Sequence, residues 1–430
     1  MALGREPRQA PPPVAECYHA RAMETPPPRL AAGHALWERA RRVMPGGVYG
    51  HQNGATLGEG HPRFLARAER SRIWDVDGNE YVDWTCAYGP MILGYGHPAV
   101  EAAVAEQLAG GDCLPLPGPR MVELAERLVA LTPRADIAVF GKNGADATSW
   151  AVDVARAHTG RPRIARVRGA YHAARPWALP HLPGVPPHHR DELLEFTWND
   201  LDELGALFAA HLGEIAVVMT APFDHLTGVA PAPGFFAGLR ALCDAHGALF
   251  AMDDVRAGFR FNLGGSCEHF GAAPDLICYS KAIANGHALS AGLAREALRG
   301  AAERIYFTGS FFFASGALAA ALATLDVLAR TDAIARIQRI GALLCDGLAE
   351  QARRHGVPLM PVGQPAMPII RLADDPERRR TRRWCSLVTA GGAYAHPTHN
   401  WFVSTAHTEE DVARTLEAAE RAFKTVAAEG

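Results

Sequence analysis

Lys281 is one of only three lysines in the chain, with Lys142 and Lys424; every other Lys/Arg position is arginine. Arginine stays protonated and cannot act as an amine nucleophile, so each lysine is a candidate for chemistry its basic neighbours cannot do. Lys281 and Ser280 come directly after the apolar run Leu276–Tyr279. A lysine in a mostly apolar, partly desolvated setting has a lowered pKa and can form a Schiff base with an aldehyde. Asp253 and Asp254 follow a second apolar run, 248–252. An aspartate facing a pyridine nitrogen keeps that nitrogen protonated, the state in which pyridoxal 5'-phosphate (PLP) serves as an electron sink. Asn143-Gly144-Ala145 follows a third run, 137–140, and opens a helical pattern. Small residues at a helix start let backbone N–H groups approach an anion, and the helix dipole favours a phosphate there. Tyr171, after the run 164–167, offers an aromatic face. Taken singly, these are a surface lysine, an N-cap, a tight turn and a core ring. Their recurrence at the ends of successive strands points to a cofactor site.

That reading needs a sheet whose strands end on one rim. From 97 to 328, the β-rich runs 137–140, 164–167, 215–219, 248–252 and Leu276–Tyr279 alternate with helical patterns such as 145–158 and 234–246. The alternation predicts an α/β domain, a mainly parallel sheet with helices on both sides and ligands at the carboxyl ends of its strands. Residues 33–96 form an N-terminal segment. In it, a helix over 34–44 places Leu36, Ala40, Val43 and Met44 on one face, and Pro45-Gly46-Gly47 stops it. A hairpin over 73–82 turns at Asp77-Gly78, a type I′ pair. Residues 329–430 read as a smaller α+β domain, which the N-terminal segment joins: a helix near 332–355, strands near 366–372 and 392–395, and a final helix capped by Thr408. Residues 1–32, rich in proline, read as a disordered tail.

The chain has 430 residues, 48% hydrophobic and 21% charged, with a net charge of -3, so nucleic acid and anionic membranes are not expected partners. No apolar run reaches membrane-spanning length, and the first thirty residues lack a secretory core. Eight cysteines without CxxC or zinc-like spacing suit reduced thiols and a cytoplasmic location. His396 and His399 lack the matching ligand pair of a metal site, so no metal is expected. Arg378-Arg379-Arg380 with Arg382-Arg383, beside Asp374, Asp375 and Glu377, reads as a solvated helix face, and Lys142 as a solvated strand-end lysine.

From about residue 36 onward the chain resembles the class III, fold-type I PLP aminotransferases, most of all the glutamate-1-semialdehyde aminomutase-like branch. The resemblance rests on Met44-Pro45-Gly46-Gly47-Val48, the run from Trp74 to Asp83, Gly89-Pro90-Met91-Ile92-Leu93-Gly94, the run from Asp253 to Arg260, and the run from Ser404 to Asp411. It implies Lys281 as the Schiff-base lysine and proton shuttle, Asp253 as partner of the pyridine nitrogen, and Tyr171 stacked on the cofactor. It further implies Asn143, Gly144 and Ala145 around the phosphate, and Ser310 reaching the phosphate of a neighbouring subunit in a homodimer with shared active sites. The implied reaction moves an amino group between a small-molecule amino donor and a carbonyl acceptor. An aminomutase or racemase outcome, or a PLP-binding protein without turnover, stands as the alternative. Two departures bear on the substrate. The family's Ser-Gly-Thr-Glu loop is here Asn143-Gly144-Ala145-Asp146, and the aminomutase's carboxylate-binding arginine is replaced by Asn53. An amide cannot make a charged bidentate contact, so glutamate-1-semialdehyde is not the expected substrate. Asn53, Tyr88 and His396 are candidate substrate contacts. Phe311-Phe312-Phe313 either lines the pocket, implying an apolar substrate part, or faces the core.

Overall fold

A computed structural model describes residues 29–373 and 375–429. The proline-rich stretch 1–28 lies outside the described residues. The first helix, Ala31–Val43, buries Gly33, Trp37 and Ala40, whereas Val43 is exposed. The apolar face is therefore set by Trp37 rather than by Val43 and Met44. Its first turn is held by the Asp77 carboxylate, which accepts from the N–H groups of Ala32 (2.7 Å) and Gly33 (2.8 Å).

Strands β1 (Leu65–Glu69), β2 (Arg72–Asp75) and β3 (Glu80–Asp83) form an antiparallel meander. The β2–β3 turn differs from the predicted type I′ pair. Trp74 pairs with Glu80, only Gly78 is left-handed (φ 87°), and the Asp75 carboxylate organises the loop by accepting from the N–H groups of Asp77 and Asn79. That local acceptor removes the need for two consecutive left-handed residues.

The central sheet holds β4 (Ile137–Gly141), β5 (Arg163–Val167), β6 (Leu193–Phe196), β7 (Ile215–Thr220), β8 (Leu249–Asp253), β9 (Leu276–Tyr279) and β10 (Ser290–Ala294), in the order β4-β10-β9-β8-β7-β5-β6. All neighbours run parallel except β10, antiparallel to both β4 and β9. β7 is buried along its whole length because helices cover both faces. Val217, Met219, Ala251 and Cys278 pack with Trp150 and Val154 of the helix Gly144–Thr159. Val218, Phe250, Met252 and Ile277 face the opposite side, with Leu239 and Leu318.

β11 (Leu359–Gln364) and β12 (Met367–Leu372) form a hairpin against the helix Ala333–Arg354, and β13 (Ala393–Tyr394) pairs parallel with β3. One small sheet thus joins the N-terminal hairpin to the C-terminal segment. The last helix, Glu409–Glu429, opens with reciprocal bonds between Thr408 and Asp411. Buried Asp411 also accepts from Ser71 and pairs with Arg72 at 2.6 Å, locking this helix to β2.

Candidate active site

The carboxyl ends of β4, β5, β8 and β9 open into one cleft of about 540 Å3. Lys281 lines it, two residues beyond the end of β9, in a left-handed conformation (φ 48°). Burial, then the charges of Arg256 and Arg260, lower its pKa to about 7, with Asp253 acting the other way. A neutral amine near neutral pH is a nucleophile, which an ordinary lysine is not. Arg260 is fully buried, donates to the Gly89 carbonyl and lies over the Phe402 ring.

The two adjacent aspartates separate. Asp253, the last residue of β8, lines the cleft and accepts from His172 Nδ1 at 2.7 Å and the Val255 N–H at 3.1 Å. Asp254 points the other way, accepts from the N–H and hydroxyl of Ser266, both at 2.7 Å, and has its pKa raised to about 7 by burial. Strand alternation gives one carboxylate to the site and the other to the loop beneath it. His172 is buried with its Nε2 unpartnered.

Asn143, Gly144 and Ala145 line the cleft at the start of the helix Gly144–Thr159. The Asp146 carboxylate takes the N–H groups of Lys142 (3.0 Å) and Asn143 (2.8 Å). The first helical N–H groups, at Gly144 and Ala145, have no intrahelical partner and suit an anion. Gly144 has no room for a side chain, since a Cβ would lie 2.6 Å from Val255 Cγ1. Tyr171 lines the cleft with 56% of its surface exposed, so its ring is free to cover a planar ligand. Lys142 is half-buried in the lining, contrary to the solvated reading.

The far end is built from the N- and C-terminal segments. Tyr88 donates to the His51 carbonyl at 2.9 Å and meets His396 Nε2 at 3.4 Å. His396 itself is buried, and its Nδ1 accepts from the N–H groups of Thr398 and His399. Neutral His396 therefore carries its proton on Nε2 and positions Tyr88 from behind. Asn53 is turned away into a local cap, accepting from the Ala55 N–H at 3.0 Å, and His51 lines the cleft beside it. Sequence reasoning gave no role to His51, His172, His225, Arg256 or His399, all of which line the cleft. His172 was the most legible of these, being next to Tyr171 after β5. Arg256 donates to Asn400 Oδ1 at 3.0 Å and the His225 carbonyl at 3.3 Å. Burial lowers the pKa of His225 and brings His399 to about 2, so both are neutral.

Phe311-Phe312-Phe313 neither lines the cleft nor sits in the core. Phe311 and Phe313 are exposed, and Phe312 packs on Phe307 at 4.9 Å between ring centroids. Ser310 is also exposed and outside this chain's own cleft.

Residues 56–408 match the family model for class-III aminotransferases. The chain is a class-III aminotransferase. It is 45% identical over 394 residues to an aminopentol aminotransferase of Sphingopyxis macrogoltabida, covering 91% of this chain and 93% of that one. It is 36% identical over 416 residues to a glutamate-1-semialdehyde 2,1-aminomutase of Anaeromyxobacter sp. (strain Fw109-5), covering 90% and 97%. Its fold superposes on the PLP internal aldimine form of the FumI protein of Sphingopyxis sp. MTA144 with a TM-score of 0.90 at 44% identity, covering 92% and 96%. The aminotransferase thus has the fold-type I architecture and uses PLP. Its residues fit that cofactor: a helix start with no room for a Cβ, a carboxylate at the end of β8, an open aromatic face and a lysine whose pKa is lowered to about 7. Among the described residues no helix is long and apolar enough to cross a membrane, and no cluster of side chains could hold a metal ion.

Proposed function

We propose that this aminotransferase takes its amino group from an amine with a neutral, hydroxylated or apolar chain rather than from an α-amino acid, and passes it to a carbonyl acceptor. One observation carries the reading: the segment that would present an arginine to the cleft presents His51 instead, with Asn53 spent on a turn. The adjoining wall, Tyr88 and His399, is uncharged as well, since Tyr88 keeps its proton to about pH 12. Such a wall suits hydroxyl groups. The aminopentol aminotransferase named above is a relative whose name fits such a donor.

Bound PLP supplies an aldehyde that joins to amines and a ring that takes up electrons from the donor C–H bond. Lys281 Nζ is the atom that takes up and returns the proton at the reacting carbon. Asp253 holds a proton at the pyridine nitrogen, and His172, donating from Nδ1, orients that carboxylate. Asn143, Gly144 and Ala145 hold the phosphate, and Tyr171 covers the ring.

The working unit in this reading is a homodimer. The loop carrying Leu114 and Leu116 is tied to the start of the helix Ser315–Arg330, where Asp112 accepts from the N–H groups of Ser315 and Gly316. Exposed Leu116 (76%), Tyr306 (94%) and Phe311 (65%) lie on these two connected segments. A second copy covering them would bring Ser310 toward its partner's phosphate site. The seven cysteines among the described residues are all free thiols, in keeping with a cytoplasmic setting.

The test is a donor panel on purified holoenzyme: long-chain 2-amino alcohols, α-amino acids and glutamate-1-semialdehyde, followed by the change in cofactor absorbance. Amino alcohols should convert the cofactor to its aminated form, and Lys281→Ala should abolish turnover. Conversion by α-amino acids alone would overturn the donor assignment.

A further inference from the structure

A phosphate at the start of the helix Gly144–Thr159 meets few side-chain donors from this chain. Asn143, Gly144 and Ala145 carry neither a hydroxyl nor a charge. The hydroxyls one turn further on are already committed. Buried Thr148 shares its proton between the Gly144 and His172 carbonyls, at 3.1 and 3.0 Å, and Ser149 Oγ accepts from Trp177 Nε1 at 3.0 Å. Asp146 adds a carboxylate to the same turn, with Arg175 as its partner at 3.3 Å. The dipole of a helix supplies about half a positive charge, against about −1.5 to −2 on a phosphate at neutral pH. The cradle is therefore short of positive charge.

Four lysine and arginine side chains line the cleft: Lys142, Arg256, Lys281 and Arg378. Lys281 is the nucleophile, and Arg256 is committed, with one Nη on Asn400 and the other on the His225 carbonyl. Arg378 stands at the far wall and donates to the Thr398 carbonyl at 3.1 Å. A left-handed backbone (φ 56°) turns it into the lining, while Arg379 beside it pairs with Glu377. Lys142 is the one next to the cradle. Asp146 takes its backbone N–H at 3.0 Å, but among the described residues its ammonium makes neither a hydrogen bond nor an ion pair. Burial lowers its pKa, with Asp112 and Cys113 acting the other way, and Asp112 Oδ1 is itself held by the Gly316 N–H at 2.7 Å. A lysine ordinarily carries its charged end out to water. One kept half-buried beside an anion site, without a partner of its own, is matched to that anion.

We propose that the Lys142 ammonium pairs with the cofactor phosphate as its counter-charge, so that this cradle holds by charge where it has no hydroxyl to offer. The inference rests on the placement of the phosphate given above and adds the side chain that neutralises it. It also accounts for a lysine in a chain whose basic residues are nearly all arginine. An ammonium is a compact point charge that fits beside backbone N–H groups already aimed at an anion. A planar guanidinium needs an open edge to present its fork.

The test is binding of two ligands to the full-length apoprotein: pyridoxamine 5'-phosphate, which forms no bond to Lys281, and pyridoxamine, which lacks the phosphate. Lys142→Gln should raise the Kd for the phosphorylated ligand about 10- to 100-fold, the range expected for a lost charge-assisted bond. The Kd for pyridoxamine should not change, and Lys142→Arg should recover part of the loss. Phosphorus NMR of the bound ligand gives a second readout. A neighbouring ammonium favours the dianion and holds the phosphate's second ionisation below its ordinary value of about 6, so in Lys142→Gln that ionisation should move up. Equal weakening of both ligands, no weakening of either, or an unmoved phosphorus titration overturns the proposal, and matched melting temperatures exclude a folding defect. Failure of the phosphate placement shows independently, through Ala145→Pro, which removes one cradle N–H in a helical turn that tolerates proline. If that variant binds pyridoxamine 5'-phosphate as tightly as the wild type, the phosphate lies elsewhere.

Discussion

Burial and two nearby guanidiniums, Arg256 and Arg260, make protonation of Lys281 unfavourable and bring its pKa to about 7. Only the neutral amine can attack an aldehyde, so the rate at which apoprotein takes up PLP should rise with pH through a midpoint near 7. Arg256→Gln removes one of the two cations opposing protonation, which stabilises the ammonium form and moves the midpoint up. At pH 7 the variant should therefore reconstitute more slowly, and at pH 9 the difference should shrink. Stopped-flow absorbance across that range checks this, and a midpoint unmoved or lowered would count against the electrostatic account. Arg256 is held by Asn400 and the His225 carbonyl, so its charge stays where it acts on the lysine rather than screened in solvent.

At the scale of elements, the cradle is placed by how closely the helix Gly144–Thr159 approaches the sheet. Gly292 on β10 makes that approach possible, since a Cβ there would lie 2.3 Å from the fully buried Trp150 ring. Gly292→Ala should push the helix off β10 and shift its N-terminal N–H groups. Overpacking of this kind costs about 1–3 kcal/mol. The melting temperature should fall and the Kd for PLP should rise, and adding Trp150→Phe should restore part of both. A Kd that stays constant while stability falls would separate the cradle from this contact.

For the whole molecule, the exposed apolar surface over Leu114, Leu116, Tyr306, Phe311 and Phe313 is the feature a lone chain leaves unexplained. If a second copy covers it, Phe311→Arg combined with Leu116→Asp should convert a dimer to a monomer by light scattering. The monomer should also bind PLP more weakly, because the partner's Ser310 is withdrawn from the phosphate. A variant that stays dimeric with unchanged cofactor affinity would place the subunit contact elsewhere. The small sheet adds a second long-range dependence. β3 and β13 come from opposite ends of the chain, so Tyr88 and its support, His396, meet only once both ends have folded together.

Much of this was written into the sequence. The runs before Asp253 and Lys281 are continuously apolar because their strands are covered on both faces, and the small residues after β4 mark a helix that starts at the cleft. Those are local consequences of chain geometry and burial, and they predicted the rim and the residues on it. β10 was hidden, since its small residues Ser290, Ala291 and Gly292 give no strand signal, and Gly292 is set by contact with Trp150. Orientation was hidden too. Asp253 and Asp254 are identical side chains one residue apart, and only the direction of the last strand residue sends one to the cleft and the other to Ser266. Arg378 and Arg379 differ in the same way, one backbone torsion turning the first into the cleft while the second pairs with Glu377. By itself the sequence determined which chemical groups stand at the strand ends. Tertiary packing decided which way each one faces, because a side chain's direction depends on torsions and neighbours brought in from far along the chain.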